Sequence, residues 1–249
     1  MTVLFFALIA AFIISAISLV GALSMVLNSR ILDKVLLLFV SFSAGSMIGG
    51  AFFHLLPEAI DLEPNVLTVS VYLLCGFCLF FILERVLRWH HCHHGTCEAH
   101  QHLGWLNLIG DCFHNFIDGL VIVSAFAVSP ILGFTVTLSI VFHEIPQELG
   151  DFGVLLYSGF SKARALFYNF LSACTSIVGV VLGFFLLDNI AGINIFLLSF
   201  AAGGFIYIAA SDLIPEIHEE KETGKSIFAF LIFLVALVMM FILKLFGAE

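Results

Sequence analysis

From residue 2 to residue 246 the chain is a series of apolar runs, each long enough to cross a bilayer and separated by short polar breaks. A span needs about 20 mostly apolar residues. A chain inside hydrocarbon must also satisfy its backbone polar groups within itself, so helices are the expected element. Eight runs meet the length: 2–27, 35–56, 66–88, 103–128, 131–157, 163–187, 190–214 and 226–246. Only 11% of the 249 residues are charged and 61% are hydrophobic, whereas a soluble domain carries about 25% charge. The composition cannot cover a water-facing surface. It predicts an all-α integral membrane protein, one transmembrane domain over 1–249. The first run has no basic segment before it and is too long for a secretory h-region, so it reads as a retained helix.

Charge separates the two sides. Arg30, Lys34, Arg85, Arg88, Lys162, Arg164, Lys221 and Lys225 fall in breaks on one side, and only Lys244 falls on the other. The positive-inside bias makes the first side cytosolic and puts both termini outside. A formal net charge of −9 with no basic stripe argues against nucleic acid as a partner. Six cysteines are too few and too scattered for a disulfide framework; Cys75, Cys78, Cys112 and Cys174 are expected to be small buried side chains.

Two stretches align without a gap, SFSAGSMIGGAFFHLLPEAID (41–61) and SFAAGGFIYIAASDLIPEIHE (199–219), identical at nine of 21 positions. On the charge-derived topology they run in opposite directions. That is the signature of an inverted repeat, here helices 1–3 and 6–8 around a central pair 4–5, a habit of secondary transporters whose site lies near the midplane.

The central pair carries the chemistry. Span four contains HNFIDG, in which His114 and Asp118 share a face at i and i+4. Span five contains HEIPQELGDF, with His143, Glu144, Gln147, Glu148 and Asp151, and Pro146 predicts a kink. Counted from the Ser129-Pro130 turn at about 1.5 Å per residue, the two motifs overlap in depth. Each ionised acid there costs at least about 2.5–3.5 kcal/mol, and neither span holds Lys or Arg. Imidazole, carboxylate and amide ligands together suit a divalent metal of the zinc, iron or manganese kind.

HNFIDG followed by HEIPQELGDF resembles the paired fourth- and fifth-helix signatures of the ZIP zinc transporters, nearest the branch whose fifth helix reads HEIPHELGDF. FFHLLPEA in span two and YIAASDLIPE in span seven resemble that family too. The resemblance implies eight spans and uptake of zinc into the cytosol, with Fe2+, Mn2+ or Cd2+ as further substrates. It also implies a plasma or inner membrane location and a homodimer. By motif position it puts His114, Asp118, His143 and Gln147 at a first metal and Asn115 and Glu144 at a second, with a thioether from Met47. Gln147 departs from the branch, which has His there, and span six offers no acid.

Beyond the centre, His54 and Glu58 read as entrance ligands or a membrane-edge cap. Glu148 and Asp151, then Asp212, Glu216 and His218, read as an exit path or solvated helix ends. The loop 89–102 (His90, His91, Cys92, His93, His94, Cys97, His100 and His102) reads as a metal-capturing tract. The rival readings are an exporter, a channel and an intramembrane zinc protease. The protease motif H-E-x-x-H fails at Gln147.

Overall fold

The computed structural model describes the backbone of residues 2–25, 29–89 and 97–246, and side chains within 2–22, 34–85 and 104–245. The described residues are helical, without strands. In chain order the helices are α1 (Thr2–Ile17), α2 (Ser29–Gly49), α3 (Leu56–Leu62), α4 (Val66–Trp89), α5 (Cys97–Val128), α6 (Pro130–Tyr157), α7 (Lys162–Ala173), α8 (Thr175–Asn189), α9 (Ile193–Ile208), α10 (Ile214–His218) and α11 (Thr223–Phe246). A 3-10 segment, Ser18–Met25, continues α1.

Among the described residues, seven segments are long and apolar enough to cross a bilayer: Thr2–Ala22, Lys34–Leu62, Val66–Arg85, Gly104–Val128, Lys162–Asn189, Ile193–His218 and Thr223–Leu245. The eighth expected span is α6, an unbroken 28-residue helix that passes through Pro146. Its length is sufficient; its polar residues set it apart. Accordingly it is packed among α1, α2, α5 and α7, and His143, Glu144 and Glu148 are all fully or almost fully buried. The sixth span differs from expectation in being two helices, α7 and α8, that meet at Cys174.

The helices form two groups. In one, α5 lies against α1, α6, α7 and α8; in the other, α4 pairs with α9 and α2 with α11. Contacts of α2 with α6 and of α5 with α9 join the groups. The repeat offset of 158 residues recurs in this packing. A Cβ built on Gly45 would lie 2.3 Å from the Phe233 carbonyl oxygen of α11, and one on Gly203 would lie 2.0 Å from the Leu73 carbonyl oxygen of α4. Ser15 Oγ of α1 donates to the Ala173 carbonyl of α7 at 3.1 Å.

The same offset relates two π-helical turns, Gly50–Leu55 and Ala209–Leu213. Pro57 and Pro215 follow them and cannot donate to the carbonyl four residues back. The turn before each proline widens, and the Leu56 and Ile214 amides donate five residues back, to Ala51 and Ala209. His54 sits in the first π turn and its repeat equivalent Asp212 in the second.

Two expectations need correction or fall outside the description. Cys75 and Cys78 are exposed on α4, and Cys112 and Cys174 are half-buried. In a helix apolar on every face, apolar neighbours do not mark the core, because the lipid-facing side is apolar as well. The histidines and cysteines of the loop 89–102 lie outside the described side chains.

Helices α5 and α8 cross as closely as α4 and α9 do. A Cβ on Gly119 would lie 2.0 Å from the Ser176 carbonyl oxygen, and one on Gly179 2.1 Å from that of Phe116. Gly179→Ala gains up to about 1 kcal/mol of helix propensity yet forces two backbones apart, at a cost of about 1–3 kcal/mol or more. It is expected to lower the melting temperature in detergent. A variant that melts at or above the wild-type temperature would contradict this crossing.

Candidate metal centre

The α5–α6 hairpin is built by a single linking residue. Ser129 is extended, and its side chain accepts from the Leu132 amide at 3.1 Å, capping α6, while Pro130 occupies the first turn. So tight a turn sets α5 and α6 side by side and brings HNFIDG level with HEIPQ.

Four side chains meet there: His114 and Asp118 from α5, His143 and Glu144 from α6, each offering one atom within 4.8 Å of the others, all buried. His114 Nε2 lies 3.2 Å from His143 Nε2, 3.2 Å from Glu144 Oε1 and 3.6 Å from Asp118 Oδ2. His143 Nε2 lies 3.3 Å from Asp118 Oδ2 and 3.5 Å from Glu144 Oε1. A zinc ion with ligands at 2.0–2.1 Å in tetrahedral array has ligand–ligand edges of about 3.3 Å. Five of the six edges of such a tetrahedron are therefore present among these atoms.

Protonation suits a cation as well. His143 Nδ1 is 3.1 Å from the Ser139 carbonyl oxygen. A carbonyl only accepts, so Nδ1 carries the proton and Nε2 keeps its lone pair for a metal. Asp118 Oδ2 and both Glu144 carboxylate oxygens are buried without a hydrogen-bond partner. Buried polar atoms are ordinarily paired, and a cation shared by these atoms is the missing partner that the donor set fits. The rings are held edge-on by the other helix group: His114 against Phe80 and His143 against Phe205, both with centroids 5.8 Å apart.

A cavity of about 710 Å3 runs from His114 and His143 past Asp111, Gln147, Asn107 and Asp151 to Glu84, Asp212 and Glu216. Among the described residues that line it, none is Lys or Arg. Toward Ser129, by contrast, the hairpin is closed by Val121, Ile122, Ala125, Phe126, Val136 and Ile140, none more than 3% exposed.

The remaining expected residues are distributed as follows. Gln147 lines the cavity, and its amide nitrogen lies 3.4 Å from Asp111 Oδ1; Glu144 stands with the two histidines and Asp118. Asn115 is fully buried beside the four, its Oδ1 unpartnered. Met47 is fully enclosed on α2, where the neighbouring Ser46 carbonyl accepts from Ser139, one turn from His143. Glu148 is buried and accepts from the Asn169 amide of α7, and Asp151 accepts from Asn107 at 3.0 Å. Asp212 and Glu216 line the cavity mouth, and His218 is exposed nearby. At the sealed end, His54 is 2.8 Å from the Met240 carbonyl oxygen and Glu58 is 3.9 Å from Lys244 Nζ.

Sequence reasoning missed Asp111, which is 4% exposed and takes three side-chain donors. The signal was available: Asp111 lies three residues before His114 and four before Asn115, on the same helix face.

Replacing one buried acid should separate the metal-free from the metal-bound state. Glu144→Gln removes a carboxylate facing other carboxylates and is expected to raise the metal-free melting temperature by about 2–4 °C, equivalent to ~1 kcal/mol. Zinc at 100 times its dissociation constant stabilises a binding protein by about 2.7 kcal/mol. That increment should be seen in the wild type and be lost in the variant by thermal unfolding in detergent.

Comparison with known proteins agrees with the geometry. The family model described as ZIP Zinc transporter matches residues 1–103 and 88–244. The chain is 31% identical over 88% of its length to the metal cation symporter ZIP14 of Xenopus tropicalis, covering 64% of that protein. It is 30% identical over 86% to the human metal cation symporter ZIP8, covering 63%, and 27% identical over 74% to the zinc transporter zipt-7.1 of Caenorhabditis briggsae, covering 62%. It thus spans a little under two thirds of these relatives. With the family model matched across nearly the whole of it, and its paired histidines and acids gathered at one point, the chain belongs to the ZIP zinc transporter family.

Proposed function

We propose that this protein carries divalent metal ions, zinc foremost, across a membrane into the cytosol as a carrier rather than an enzyme. The observation that supports this most is the near-tetrahedral set His114, Asp118, His143 and Glu144, whose two histidines line a cavity of about 710 Å3. Relatives named zinc transporter and metal cation symporter support the same reading. Two imidazoles and two carboxylates favour zinc, and the oxygen share admits Fe2+, Mn2+ or Cd2+ as lesser substrates.

In this reading the metal crosses by exchanging water for these four ligands. Asn115 and Gln147 supply further oxygens for the same ion or for a second one, and Met47 adds a thioether from α2. His54 and Glu58 receive the ion at the sealed end, and Glu148, Asp151, Asp212, Glu216 and His218 pass it outward through the cavity. The bias of basic residues assigns the cavity end to the cytosol and the termini to the other side. The loop 89–102 then captures released metal, and the membrane is the plasma or inner membrane. A homodimer is the expected assembly.

Flux decides this. Zinc added on the terminus side of vesicles of known orientation should enter, and His114→Ala and Asp118→Ala should each reduce uptake at least about tenfold, since one lost ligand interaction of 1.4 kcal/mol is a factor of ten. Unchanged uptake in both variants would remove the centre from the transport path. Uptake only in the opposite direction would make the protein an exporter.

A further inference from the structure

Asp111 touches none of the four ligand atoms, yet it is the most heavily hydrogen-bonded side chain near them. Its Oδ1 accepts from the Asn115 amide nitrogen at 2.8 Å and from the Gln147 amide nitrogen at 3.4 Å. Its Oδ2 accepts from Ser172 Oγ of α7 at 2.5 Å. Three donors from three helices thus converge on one buried carboxylate.

The two amides are what matter. A side-chain amide is a planar group with donors at one end and an acceptor at the other, and the end it presents is set by its neighbours. An ionised carboxylate only accepts. Both amides must therefore turn their nitrogen toward Asp111 and their oxygen away from it. For Asn115 the outcome is visible: Oδ1 is buried and has no hydrogen-bond partner, like both oxygens of Glu144. The Asn115 nitrogen also reaches the Asp111 backbone carbonyl, at 3.3 Å; without the Asp111 carboxylate only that longer bond opposes a half-turn rotation that would present N–H2, which repels a cation.

We infer that Asp111 is a positioning residue that locks the Asn115 and Gln147 amides with their oxygens available to the transported cation. Gln147 stands where a charged or imidazole side chain would bind metal unaided, and an amide does so only when oriented. Asp111 supplies that orientation and adds negative charge to the cavity wall while its own oxygens stay fully engaged. The role rests on the reading of the centre as a zinc site.

The experiment uses the full chain, purified in detergent for zinc binding by chelator competition and reconstituted for zinc uptake. Asp111→Asn presents its own amide to the two others and should lower zinc affinity about tenfold. KM for uptake should rise by a similar factor while kcat changes less than about threefold. The exchange Asp111→Asn/Asn115→Asp reverses the polarity of the pair at constant charge: Asn at 111 donates to the carboxylate at 115, whose other oxygen is free for metal. It should recover affinity to within about threefold of wild type.

A purely structural tie would lower the melting temperature of the metal-free protein without this split or this rescue. Wild-type affinity in Asp111→Asn, or an exchange variant no better than Asp111→Asn, overturns the inference. Where Asp111→Asn does not fold, Asp111→Ser carries the comparison: its shorter, uncharged side chain holds the amides less firmly, so affinity should fall at least about threefold, and wild-type affinity there also overturns it. His114→Ala separates the two levels. If it binds zinc as the wild type does, the zinc site itself is wrong; if it loses zinc while Asp111→Asn keeps it, only the role of Asp111 fails.

Discussion

Carboxylates enclosed among imidazoles at the depth of the hydrocarbon core, with no lysine or arginine among the described residues that line the adjoining cavity, are the constraint on which the rest of the structure depends. Asp118 and Glu144 leave three oxygens buried without a hydrogen-bond partner. Water cannot relieve them as it does at a surface, and an uncompensated charge at this depth is expensive. Helix α6, which carries most of these groups, is accordingly surrounded by other helices. The more apolar α4 and α11 expose Leu67, Phe81, Phe230 and Val238 on their outer faces, where lipid accepts them.

The same constraint explains why the hairpin between α5 and α6 is so short. Two helices joined by one residue have little freedom to slide past each other, so His114 and His143, each near the middle of its helix, are held at 3.2 Å. The outer turns of the hairpin are filled by buried Val, Ile and Phe side chains, while the other half opens into the cavity. The histidine pair marks the boundary between a dry half and a wet half. Phe80 and Phe205, contributed by α4 and α9, brace both rings at that boundary.

The repeat adds a second asymmetry. Residues 54 and 58 correspond to residues 212 and 216, a π turn followed by proline and glutamate in each copy. In one copy the polar residues are closed off, His54 on the Met240 carbonyl and Glu58 beside Lys244. In the other, Asp212 and Glu216 line an open mouth. Two equivalent segments in different surroundings are what an inverted repeat provides: the same local structure can border an open passage at one end and a sealed one at the other.

Much of this was legible before any coordinates. Apolar length set the helices, because hydrocarbon leaves a backbone few alternatives. The i, i+4 spacing of His114 and Asp118, and the depth count from Ser129, placed the two motifs level, because helical rise is constant. The nine shared residues at an offset of 158 revealed the repeat. Which oxygens gather at the histidines was not legible. Gln147 and Glu144 lie on neighbouring faces of one helix, and only the rotation of α6 against α5 brings Glu144 to the histidines and turns Gln147 to Asp111. Nor could apolar context tell buried from exposed in α4, where Cys75 and Cys78 face outward. Spacing along a chain specifies depth and helix face; the packing of one helix on another decides which side chains touch. That packing depends on close crossings such as Gly119 on Gly179, between residues distant in sequence.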